Sequence, residues 1–111
     1  METLLRFQQG DTWAREIEWT NDDDTPVDLT GATARMQLRS SVNSPQVVLE
    51  LTSEDGIAVD PAGKLTIQVA APMTALMPAG LGVYDLEVSF PSEVVQTVIR
   101  GSYIVTPEVT R

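Results

Sequence analysis

Hydrophobic and polar positions alternate most clearly over residues 84–90, where Tyr84, Leu86, Val88 and Phe90 are interleaved with Asp85, Glu87 and Ser89. A period of two sends the two sets to opposite faces of a strand, one dry and one wet. The same period recurs at Ala34, Met36 and Leu38 against Arg35, Gln37 and Arg39, and at Leu65, Ile67 and Val69 against Lys64, Thr66 and Gln68. Residues 13–20 contain acceptable helix formers in Ala14, Arg15, Glu16 and Glu18. Trp13, Ile17 and Trp19 nevertheless share one side of a strand with Arg15, and a strand is predicted. Further strands are expected over residues 4–8, 46–51 and 94–105. The last is long enough to bend or divide near Gly101, where the missing side chain permits a bulge or close packing.

Turn-forming clusters punctuate these runs: Asn21, Asp22, Asp23 and Asp24 before Thr25 and Pro26; Asp55 and Gly56; Asp60, Pro61, Ala62 and Gly63; and Pro91, Ser92 and Glu93. Their spacing suits hairpins, most clearly over residues 60–64. One segment, residues 72–78, suits a helix of a single turn, started by Pro72 and limited by Pro78. About seven to nine short strands with at most one helical turn predict an all-β antiparallel β-sandwich of the immunoglobulin-like class, a small closed barrel being the alternative.

The composition sharpens this picture. At 111 residues, 42% hydrophobic and 21% charged, the chain suits one globular domain over residues 1–111, able to bury roughly two thirds of its unfolded surface without staples. It has no His and no Cys, which removes Ser-His, Cys-His and thiol chemistry and leaves zinc without its usual ligands. A net charge of −9 with a single lysine, Lys64, argues against nucleic acid and anionic membranes and in favour of protein partners. Residues 1–10 lack the apolar stretch of a signal peptide, and no apolar run approaches a membrane span of roughly 20 residues. Synthesis in the cytosol is expected.

Several clusters suggest chemistry, and each has a plainer explanation. Asp22, Asp23, Asp24 and Asp28 could offer oxygens to calcium, but Pro26 stands where a further ligand belongs, and a solvated turn is the stronger reading. Glu54 and Asp55 read in the same way. Asp85 and Glu87 could flank a glycosidic bond, yet alternation puts both on one exposed strand face, where pairing with Arg35 or Arg39 is the simpler use. Trp13, Trp19, Tyr84 and Tyr103 could line a sugar platform. In a chain with only six aromatic residues, however, they are needed as core, Trp19 and Tyr84 above all. Gly10, Asp11 and Thr12, and Asp28, Leu29, Thr30 and Gly31, read as turns that set strand entry. Leu4, Leu5 and Phe7, with Ile104, Val105 and Val109, either close the domain's own sheets or dock on a partner, and closure is expected for most. No catalytic, cofactor-binding or metal-binding residue is assigned, no cofactor is expected, and the chain is expected not to be an enzyme.

The order of GDTW (residues 10–13), PVDLTGATARMQLR (26–39), VLELTSEDGI (48–57), GKLTIQV (63–69), PAGLGVYDLEV (78–88) and GSYIVTPEVTR (101–111) resembles a family of small phage and prophage tail-region proteins. These are immunoglobulin-like β-sandwich modules similar to the N-terminal domain of phage upper baseplate proteins. The resemblance implies a virion structural protein associated with the tail, baseplate or fibre attachment point, contacting other virion proteins in multiple copies. It implies no catalytic residue. The competing expectations are a head or neck decoration or connector protein, a carbohydrate-binding module for host-surface contact, and a carboxylate-dependent hydrolase.

Overall fold

Eight strands and one short helix are arranged in a computed structural model that describes residues 3–110. In chain order they are β1 (Leu5–Gln8), β2 (Trp13–Glu18), β3 (Thr33–Arg39), β4 (Leu49–Thr52), β5 (Ile57–Asp60), β6 (Lys64–Val69), α1 (Ala71–Ala75), β7 (Gly80–Ser89) and β8 (Val95–Thr106). They form two sheets, one of five strands in the order β1-β8-β7-β3-β4 and one of three in the order β2-β6-β5. The all-β sandwich is as the alternation predicts. β5 lies outside the predicted strands, and β4 starts at Leu49 rather than at residue 46.

Alternation explains the core directly. Met36 and Leu38 of β3 and Leu86 and Val88 of β7 turn inward from the larger sheet, where they meet Ile57, Leu65, Ile67 and Val69 of the smaller one. Burying each such side chain contributes roughly 1.5–3 kcal/mol. Turn chemistry sets the registers. Gly63 takes a φ of 89° and donates its N–H to Asp60, closing the β5–β6 hairpin expected at residues 60–64. Pro72 sits in the first turn of α1, and Leu76 ends the helix just before Pro78.

The expectation of a wholly antiparallel sandwich needs correction: β1 runs parallel to β8, in the register Leu5↔Tyr103 through Gln8↔Thr106. Local pattern carries no information about strand direction, and here the two most distant segments of the chain share an edge. Gly101 is not the site of the bulge. The register shift lies between Leu86 and Glu87 of β7, opposite Ile99 and Thr97, and leaves Val98 as the extra residue. Gly101 serves the other expected purpose, close packing, since a Cβ there would lie 2.4 Å from the carbonyl oxygen of Thr3. Gly82 does the same beneath Tyr103, whose ring atoms would stand 2.3 Å from an added Cβ. The registers Gly82↔Tyr103 and Tyr84↔Gly101 therefore set each buried tyrosine across from a glycine. The Tyr84 hydroxyl donates to the Thr3 carbonyl at 2.6 Å.

Candidate interaction surfaces

The acidic segment between β2 and β3 folds on itself. The Asp23 carboxylate accepts from the Thr25 hydroxyl at 2.6 Å and from its N–H at 3.2 Å, and Asp28 does the same with Thr30 at 2.6 and 3.0 Å. Those hydroxyls, and secondarily the N–H groups, hold both carboxyls below the usual aspartate range. Asp22 and Asp24 are exposed beside them, Asp24 at a φ of 67°. Among the described residues, no three Asp or Glu side chains gather as a metal-holding group. Glu54 and Asp55 lie exposed in the β4–β5 turn, where Asp55 donates to the Thr52 carbonyl.

Asp85 and Glu87 stand on the outer face of the five-stranded sheet, opposite Gln37 and Arg35 of β3. The expected use of Arg35 and Arg39 is corrected here. Arg35 turns the other way, to Glu50 of β4 at 3.0 Å, and Arg39 donates to the Ser44 carbonyl and to Gln37. Gln37 and Arg35 both donate to Glu50, and these bonds, that of Gln37 first, lower its pKa. A shallow depression of about 670 Å³ crosses this face, with Arg39, Val42, Val83, Asp85, Arg100 and Ser102 among its lining. It is wide, open and mixed in charge, which suits contact with a protein surface.

The four aromatic residues do not assemble one platform. Tyr84 and Tyr103 are in the core, whereas Trp13 and Trp19 are half-buried at separate places, Trp13 against Phe7 with ring centres 4.4 Å apart and Trp19 against Phe90 at 5.9 Å. Of the terminal segments, Leu5, Phe7 and Val105 close the sheets, while Leu4 and Val109 stay exposed. Gly10 and Gly31 take φ values of 86° and 74° in the turns expected of them.

This two-sheet arrangement has a counterpart among solved structures. It is similar to the N-terminal domain of phage TP901-1 ORF48. The likeness covers 93% of this chain and 84% of that one, with a TM-score of 0.57 and 14% identical residues, so that it is a likeness of fold. No protein-family model and no curated protein sequence matches the chain.

Two surfaces were not singled out by the sequence. One surrounds α1, where residues 65–84 carry no charged side chain and Met73, Leu76 and Leu81 are exposed. The charge gap is visible in the sequence, but the exposure is not. The other is a depression of about 490 Å³ lined by Trp19, Asn21, Asp22, Val27, Gln96 and Thr97. It joins segments some 75 positions apart, which no local pattern announces.

Proposed function

We propose that this protein is a bacteriophage virion structural module, associated with the tail, baseplate or fibre attachment point, that acts by contact with other virion proteins in multiple copies. The observation that carries this reading is the fold likeness to a domain of a phage protein over 93% of the chain. The order of turn and strand motifs from GDTW to GSYIVTPEVTR supports it independently. The molecule works by contact rather than catalysis, through faces that are shallow and of mixed character. The carbohydrate-binding alternative loses its basis, because two of the four rings it needs are buried.

Mass spectrometry of purified particles of the phage that carries this gene tests the reading, followed by cryo-electron microscopy of the same particles. The expected outcome is detection at a level comparable with other small structural proteins and a sandwich density of this size at the tail or its baseplate. Density on the head or neck would overturn the tail assignment. Absence from particles in which similarly small proteins are detected would overturn the structural role itself.

A further inference from the structure

Among the described residues, the longest strand is covered on one side along only part of its length. β8 has twelve residues, but β1 pairs with only its last four, and the chain before β1 reaches it once more where Thr3 donates to the Arg100 carbonyl at 3.0 Å. Among the described residues, no strand pairs with residues 95–99 on the side away from β7. Phe90 donates its N–H to Val94, so antiparallel alternation turns the backbone groups of Val94 and Gln96 toward β7 and those of Val95 and Thr97 outward. Residues 94–99 read Val-Val-Gln-Thr-Val-Ile: five of six are β-branched, with no charge and no proline. An exposed edge of this kind invites pairing, and natural edges normally carry a device against it. β2 has one, an inward-facing arginine, Arg15, between Trp13 and Ile17. β4 and β5 are only four residues long and are bridged to each other through Thr52 and Gly56.

The space beside this edge is shaped. β1 lies over the start of β2, with Phe7 against Trp13, and further along that line Trp19, Asn21, Asp22 and Val27 face Gln96 and Thr97 across the depression of about 490 Å³. A strand continuing the line of β1 would pair with β8 and set a side chain against Trp19 and Val27. Two carboxylates stand at that position: Asp22 lines the depression, and Glu93 is in the turn just before Val94. Arg100 lies at the other end of this stretch, where β1 takes over.

We propose that residues 94–99 form a strand-addition site for an extended segment of a neighbouring virion protein that carries Lys or Arg beside an apolar side chain. Main-chain bonds supply the affinity, and the Trp19 depression with its acidic rim supplies the selectivity. The identity of the partner as a virion protein rests on the function proposed above; the edge and its chemistry do not.

The test uses the whole chain, isotopically labelled, with two ten-residue peptides that alternate valine with threonine, one flanked by lysines and the other by glutamates. The lysine peptide is expected to slow amide exchange at Val95 and Thr97 by about tenfold or more and to shift the Trp19 indole signal. The glutamate peptide is expected to bind at least about tenfold more weakly, a difference that Asp22→Lys narrows. Val95→Pro removes an outward N–H without touching the β7 ladder, so it should abolish the protection while leaving the spectrum elsewhere and the thermal midpoint intact. Unchanged signals at Val95, Thr97 and Trp19 with millimolar lysine peptide would overturn the proposal, as would protection that survives Val95→Pro. Protection that rises with protein concentration alone would give the edge to a second copy instead. Absence of the protein from virions would remove the named class of partner and leave the edge result standing.

Discussion

The two ends of the sandwich are held in different ways. Around α1, hydrogen bonds tie together segments remote in sequence: Gln9 to the Met77 carbonyl, the Gly10 N–H to the Thr74 hydroxyl, that hydroxyl to the Asp11 carbonyl, and the Glu108 N–H to Gln9, across separations of 63 to 99 positions. At the end marked by Trp19 and Phe90, the side-chain bonds of the β2–β3 segment span two to five positions, as in Asp23 to Thr25, Asp28 to Thr30 and Asn21 to Pro26. The first arrangement exists only when the whole chain has folded and therefore contributes to global stability. The second shapes the turns locally, while backbone bonds from Trp19 to Gly63 and from Leu29 to Pro61 anchor the segment to the β5–β6 turn, and among the described residues the nearby edge of β8 is left open.

Substitutions that strike contacts between segments remote in sequence should cost the most. Gly101→Ala drives a methyl group into the backbone of Thr3 and separates β1 from β8, and a loss of about 3 kcal/mol is expected from urea titration. Thr97→Ala, on the open stretch of the same strand, should stay within about 0.5 kcal/mol, and equal losses would break the comparison. Thr74→Val strips the partner from the Gly10 N–H and should cost about 2 kcal/mol, although the side chain keeps its volume. Its counterpart Thr25→Val, at an exposed hydroxyl, should cost a small fraction of that.

Dependence on pH sharpens the contrast further. Burial pushes the phenols of Tyr84 and Tyr103 above the usual tyrosine value of 10, with Arg15 partly offsetting the rise for Tyr84. Because the folded state holds these protons more tightly than the unfolded chain, their contribution is whole below pH 10 and is lost as pH rises through the raised values. Tyr103→Phe should flatten that alkaline decline, read as the thermal midpoint between pH 9 and pH 11. Asp23 and Asp28 have lowered values, so their contribution is present above the ordinary 3.8 and is lost as pH falls through the depressed ones. Both are fully exposed, and the acid decline they cause should be the smallest effect of all, detectable as a shallower slope in the Asp23→Asn and Asp28→Asn double variant.

What could be read from the sequence divides along similar lines. β3, β6 and β7 were legible because each alternates over six or more residues, and the β5–β6 turn because Asp60, Pro61 and Gly63 leave the backbone few choices. β5 was not, since Ile57 and Val59 alone are too few to establish a period. β4 begins late because residues 46–48 belong to the loop that follows Pro45, whatever their β propensity. The glycine at position 101 could be recognised as special, but its partner could not, because the pairing of β1 with β8 is decided by tertiary packing. The same holds for the open edge. The run Val-Val-Gln-Thr-Val-Ile is plain in the sequence, whereas its lack of a neighbour among the described residues depends on β1 being a third as long as β8. Of the site candidates, the loop carboxylates could be read as turn formers. Arg35 and Arg39 were matched to the wrong partners because alternation gives the face of a strand but not which neighbour a long side chain chooses.

The parallel pairing of β1 with β8 also fixes how the molecule bears load. Tension applied at Thr3 and at Thr110 would pull β1 and β8 past each other along their common axis. The bonds between Leu5–Gln8 and their partners would then be strained together, as in a lap joint, rather than opened one after another as in a zipper. A module that must transmit force between two neighbours gains resistance from this geometry without any added contact. Its rupture is governed by the rate at which that short ladder shears.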